Sequence, residues 1–225
     1  MARRLQQQLL SYQMMYGIHL LPLTHVARPP KILEIGLGCT MGYGPGRSAR
    51  LWRKLLPRSE LWEAEVDARC VQRHALSLQR EGINVVTGSA ADEATVRRWI
   101  AASGGEFDVS STWCVIDDGS HDAVDVFAAF PLLWSALRPG GLYFIEDIGA
   151  PEMARVAQVM ASWVEAKLRM RPKAQGRDAS VDGGMPVDVA FVNAYDNAVV
   201  VGKDALAAGR RDRHSQSGRG RWCHD

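Results

Sequence analysis

No stretch of the 225-residue chain is apolar for long enough to cross a bilayer, and the apolar run 14–23 is interrupted by Tyr16, Gly17 and His19. The opening MARRLQQQLL is basic but leads into no signal-peptide core, so the expectation is a cytoplasmic chain with neither leader nor membrane partner. Cysteine is scarce and unpaired in sequence. The four residues Cys39, Cys70, Cys114 and Cys223 contain no CxxC spacing, which argues against a zinc site or a dense disulfide framework and reads as free thiols in a reducing compartment. Charge of one sign is also lacking. The formal net charge is +2, and Arg210, Arg211, Arg213, Arg219 and Arg221 crowd into the tail. The body is therefore near neutral, with no electrostatic basis for binding nucleic acid. What remains is a composition of 47% hydrophobic and 23% charged residues, enough to bury one α/β core but too short for two ordinary domains.

The spacing of apolar residues predicts an amphipathic helix over 5–20, punctuated by Pro22, Pro29 and Pro30. From Lys31 onward, short β-rich runs at 31–36, 60–66, 83–87, 113–117 and 141–146 alternate with helical patterns at 47–56, 68–81, 92–102 and 123–137. Such alternation predicts a parallel sheet covered on both faces, with ligands at the carboxyl ends of the strands. A helix over 151–169 and a polar, Gly-rich stretch at 171–186 then lead to two strands, 187–193 and 198–202, with Asp196-Asn197 at the turn. The expected fold is a Rossmann-like, mostly parallel seven-stranded sheet that ends in an antiparallel hairpin. Residues 1–30 form a helical cap, 31–203 the domain, and 204–225 a basic tail without apolar period.

The first strand runs into Glu34-Ile35-Gly36-Leu37-Gly38, a Gly-x-Gly turn that lets a ligand approach the backbone. A dinucleotide fingerprint would place its third glycine at Met41, and the later Gly42, Gly44 and Gly46 lengthen the loop. Glu34 suits a ligand carrying positive charge and would repel a diphosphate, which favours S-adenosylmethionine over a nicotinamide dinucleotide. At the end of the second strand Glu65 is placed to accept ribose hydroxyls, and Asp67 to cap the following helix. Asp92 reads equally as a contact near the adenine or as a helix N-cap. Gly36, Gly38 and Asp117 complete the expected cofactor contacts.

The fourth strand ends in Asp117-Asp118-Gly119-Ser120-His121 and the fifth in Glu146-Asp147. Carboxylates converging at one sheet edge repel unless a cation lies between them, so Asp118, Glu146 and Asp147 are candidate ligands for Mg²⁺ or a similar ion. His121 is the candidate general base toward an acceptor hydroxyl.

These segments resemble the metal-dependent sugar O-methyltransferases of the macrocin and mycinamicin type, which share Asp-Gly-Ser-His, here 118–121, and Pro-Gly-Gly-Leu-Tyr-x-Ile-Glu-Asp, here 139–147. The resemblance implies the class I methyltransferase fold, Mg²⁺ on Asp118, Glu146 and Asp147, and His121 as base. The stretch 107–114 looks longer than the family's fourth strand. The chain is also similar to a group of fungal and algal methyltransferase-domain proteins around LEIGLGC, YGPG and LWEAE. The resulting expectation is O-methylation of a small hydroxylated molecule, a sugar or natural-product alcohol. The alternatives are a non-catalytic relative and a nucleotide-dependent oxidoreductase. The acceptor and the oligomeric state are not written in the sequence.

Overall fold

A computed structural model describes residues 2–26, 29–104, 113–169 and 184–206. The first helix, α1 (Ala2–His19), is followed by β1 (Lys31–Ile35), α2 (Arg47–Leu55), β2 (Glu60–Glu65), α3 (Ala68–Arg80), β3 (Ile83–Thr87) and α4 (Glu93–Ala102). Then come β4 (Trp113–Asp117), α5 (Ala123–Ala136), β5 (Leu142–Ile145), α6 (Ala154–Leu168), β6 (Val189–Tyr195) and β7 (Ala198–Lys203). The strands form one seven-stranded sheet in the order β3-β2-β1-β4-β5-β7-β6. The first five are parallel, whereas β7 is antiparallel to both β5 and β6. This is the architecture of class I methyltransferases, as the alternation and the terminal hairpin led one to expect. The strand order reverses at β1, between β2 and β4, so the loops after β1 and β4 part there and leave a crevice at the carboxyl edge.

Strand alternation divides the core into two halves. Leu33, Ile35, Val115, Tyr143 and Ile145 point toward α4, α5 and α6, while Ile32, Leu61, Cys114, Ile116 and Phe144 point toward α1, α2 and α3. Met15 and Leu20 of the first helical segment are fully buried in the second half. At roughly 1.5–3 kcal/mol for each large side chain removed from water, these two dock α1 firmly onto the sheet. The expected cap is thus part of the core. None of the described helices is long and apolar enough to cross a membrane.

The cysteines depart from expectation. Cys39, in the loop after β1, and Cys70, in the first turn of α3, form a disulfide with a Cα–Cα distance of 6.1 Å. Their separation of 31 residues hides the pairing in the sequence, because only the parallel packing of β1 beside β2 brings the two following loops together. Cys114 is a buried free thiol, its pKa pushed up to about 12 by burial. With Cys39 and Cys70 paired, the inference of a reducing compartment from free thiols loses its basis. The first hairpin strand starts two residues later than the apolar pattern indicated, because Val187 and Asp188 form a turn, whereas the second starts at Ala198 as expected. The tail beyond Leu206, the segment 171–183 and the stretch 105–112 lie outside the described residues.

Candidate active site

The crevice at the carboxyl edge is a cavity of about 1270 Å³. Its walls come from the loops after all five parallel strands, from α2 through Arg47, Arg50 and Lys54, and from Tyr12 of α1.

On the side of β1 and β2, Gly36 and Gly38 hold φ of 110° and 79°, conformations that favour glycine. Gly36 also lies against the next loop, since a Cβ there would stand 2.1 Å from the backbone oxygen of Asp118. Glu65 faces the cavity with its carboxylate held by two backbone amides, Asp67 N at 3.0 Å and Cys39 N at 3.4 Å. That fixes both oxygens while leaving lone pairs for ligand hydroxyls. Asp67 caps α3, accepting from the backbone of Arg69 and Cys70.

Two of the expected cofactor contacts fall elsewhere. Asp92 caps α4, its Oδ2 accepting from Thr95 N at 3.0 Å and Thr95 Oγ1 at 2.5 Å. From that loop only Gly88, Ser89 and Ala90 line the cavity. Glu34 is 2% exposed and is not among the residues that line the cavity. Its strand phase matches that of Ile32, so the carboxyl points toward α2, where it accepts from Ser48 Oγ at 2.7 Å. There it meets Glu63, its register partner on β2.

Burial raises the pKa of both glutamates, and for Glu63 the nearby Glu34 adds to the effect. The folded state therefore keeps protons that the unfolded chain releases above the ordinary value of 4.5. Stability from the pair is full below that pH and declines as pH rises. Glu63→Gln, which keeps a neutral group, is expected to melt above wild type at pH 8 and together with it at pH 4. Thermal denaturation at the two pH values checks this, and an identical difference at both would contradict it.

At the ends of β4 and β5, Asp117 is buried, accepts from Tyr143 Oη at 3.0 Å and has its pKa pushed up to about 6 by desolvation. Asp118, His121 and Asp147 offer ligand atoms that all lie within 4.8 Å of one another. His121 Nε2 stands 3.1 Å from Asp118 Oδ1 and 3.7 Å from Asp147 Oδ2. The hydrogen bond to Asp118 raises its pKa despite partial burial. His121 and Asp147 both sit at positive φ, 52° and 51°, a cost of about 1–3 kcal/mol each that surrounding contacts must offset. A set of two carboxylates and one imidazole around a common space fits a hard or borderline divalent ion.

Glu146, expected among the ligands, lines the cavity but stands outside the converging group. It follows Phe144 in strand phase, so its carboxyl turns to α1 and accepts from Tyr16 Oη. Burial and the adjacent Asp147 push its pKa up to about 8. The two α1 tyrosines escaped the sequence reading, although their spacing of four residues beside the buried Met15 marks them as one helix face turned inward.

No protein-family model matches the chain. It is 36% identical over 138 residues to the 8-demethyl-8-(2-methoxy-α-L-rhamnosyl)-tetracenomycin-C 3′-O-methyltransferase of Streptomyces olivaceus, a match covering 60% of this chain and 31% of that protein. It is 35% identical over 122 residues to the mycinamicin VI 2″-O-methyltransferase of Micromonospora griseorubida, covering 52% of this chain and 27% of the relative. Among solved structures, the MycE methyltransferase of mycinamycin biosynthesis in complex with Mg, SAH and mycinamycin VI matches with a TM-score of 0.64 at 25% identity, over 86% of this chain and 48% of that one. Homologues of the chain are therefore O-methyltransferases of the macrocin and mycinamicin type. The matched stretch of the chain spans less than a third of the length of these curated relatives.

Proposed function

We propose that the chain transfers a methyl group from S-adenosylmethionine to a hydroxyl of a small molecule, a sugar or natural-product alcohol, with the help of Mg²⁺. The observation that carries the reading is one cavity whose opposite walls hold different chemistry. Gly36, Gly38 and Glu65 form one wall, and the Asp118, His121 and Asp147 group forms the other. The named activities of the relatives and the Mg and SAH bound in the matching structure support it.

The turn of Gly36 and Gly38 lines the cavity and would lie along the ligand, and Glu65 accepts the ribose hydroxyls. The cofactor supplies an electrophilic methyl on a positively charged sulfur. Asp118 and Asp147, with Glu146 beside them, would hold the divalent ion, whose charge lowers the pKa of an acceptor hydroxyl. His121 takes the hydroxyl proton on its other ring nitrogen, and Asp118, whose Oδ1 stands 3.1 Å from Nε2, stabilises the imidazolium that results.

Calorimetric titration with S-adenosylmethionine, with and without Mg²⁺ and with NADH as control, tests the reading. Binding of the methyl donor and none of NADH is expected, and the reverse would refute it. In the same titration, Glu65→Gln is expected to weaken the methyl donor by about 10- to 100-fold, the loss of charge-assisted hydrogen bonds worth ~1.5–3 kcal/mol. Unchanged affinity would remove Glu65 from the cofactor site.

A further inference from the structure

Helix α1 reaches the proposed metal group from far away in sequence. Tyr12 Oη donates to Asp147 Oδ1 at 3.1 Å and accepts from Asp147 N at 3.4 Å, a contact spanning 135 residues. The second partner of the same oxygen is Asn197 Nδ2 at 2.5 Å, from the turn between β6 and β7. Both partners of Oδ1 are thus protein groups, and Oδ2 is the oxygen facing His121 Nε2.

The helix that carries Tyr12 is itself fixed. Met15 is fully buried, and the ring of Tyr16 packs at 4.6 Å from Trp52 and 5.3 Å from Phe144. Asp196 N donates to Ser11 Oγ at 2.8 Å, and His19 Nε2 lies 2.8 Å from Tyr195 Oη, which ties the helix to the hairpin at two points. A phenol on so constrained a helix is an aiming device, because it cannot follow the carboxylate if the latter rotates.

We propose that Tyr12 is a positioning residue of the metal site: by occupying Asp147 Oδ1 together with Asn197, it presents Oδ2 alone to a divalent ion. The role also accounts for the persistence of Asp147 at φ 51°, since the hydroxyl of Tyr12 bonds both its side chain and its backbone amide. Without Tyr12 the carboxylate keeps only its bond from Asn197 Nδ2 on Oδ1, so it is less constrained and an ion that binds must order it.

This inference rests on the reading of Asp118 and Asp147 as the carboxylates that hold the ion, with His121 beside them as base. Its test is Tyr12→Phe, which deletes one oxygen and retains the ring. Mn²⁺ binding is followed by electron paramagnetic resonance, S-adenosylmethionine binding by calorimetry, and the metal-free melting temperature by thermal denaturation. The expected result is a Mn²⁺ Kd weakened by about tenfold, the scale of losses when a group orienting a metal ligand is removed. The methyl-donor Kd stays as in wild type, and the melting temperature falls only by the few degrees that the lost hydrogen bonds of one hydroxyl cost. Mn²⁺ bound equally well by the variant and wild type overturns the role of Tyr12 and leaves the metal reading standing. Wild type that binds no Mn²⁺ overturns both. Parallel loss of Mn²⁺ binding, methyl-donor binding and melting temperature overturns positioning in favour of a structural contact.

Discussion

Asp118→Ala is expected to lower metal-dependent methyl transfer by about a thousandfold, within the range that removal of acid–base chemistry produces, while the Kd for S-adenosylmethionine changes less than about threefold. Asp118 is joined to two functions at once. It supplies one of the converging ligand atoms, and its Oδ1 holds His121 Nε2 at 3.1 Å. Loss of the carboxylate removes a ligand and also the group that raises the histidine's pKa. The cofactor wall is untouched, because the backbone of Asp118, not its side chain, abuts Gly36. Nor should the variant be less stable. The charge of Asp118 disfavours ionisation of Glu34, Glu63 and Asp117, so its removal relieves repulsion among buried acids. Turnover of the methyl donor with a screened acceptor, set beside calorimetry and thermal melting, separates these effects. A comparable loss of cofactor affinity would mean that Asp118 supports the architecture rather than the chemistry.

The contrast between Asp118 and Glu34 shows what a sequence reveals about such a site. Both are acids at or near strand ends, but Asp118 lies past the end of β4, where its side chain escapes the sheet, whereas Glu34 lies inside β1 and obeys its alternation. Counting from Ile32 places Glu34 on the α2 face. Phase within the strand was therefore available information, and weighing charge alone overlooked it. The strands and helices were legible because proline, glycine and capping aspartates punctuate short apolar runs; Asp67 and Asp92 both cap helices through backbone amides. Contacts set by tertiary packing were not legible. The Cys39–Cys70 pair depends on two parallel strands being neighbours, and the Tyr16 to Glu146 bond spans 130 residues. No local periodicity encodes either.

Gly36→Ala is expected to abolish both ligand sites together and to cost about 2–6 kcal/mol of stability, the sum of a strained backbone and an overpacked contact. The φ of 110° is one that residues with a Cβ rarely adopt. The added carbon would also stand 2.1 Å from the oxygen and 2.9 Å from the carbonyl carbon of Asp118. No side chain can swing aside to relieve this, since both atoms are backbone. Asp118 is tied in turn to β1, its N–H donating to Ile35 O at 3.1 Å. Moving it away breaks the last bond between the two strands whose divergence makes the crevice. The loop carrying His121 and the glycine turn would then shift as one, so metal and methyl-donor affinity fall in the same variant, unlike the selective loss in Asp118→Ala. Gly42 provides the control. It lies in the same loop without a positive φ, and a Cβ added there would meet no atom within 4 Å, so Gly42→Ala should leave melting temperature and both affinities within experimental error. Calorimetry with the methyl donor and Mn²⁺ on the two alanine variants decides the matter. Retention of either ligand by Gly36→Ala would show that the two walls are independent, and that their contact at Gly36 is incidental to the site.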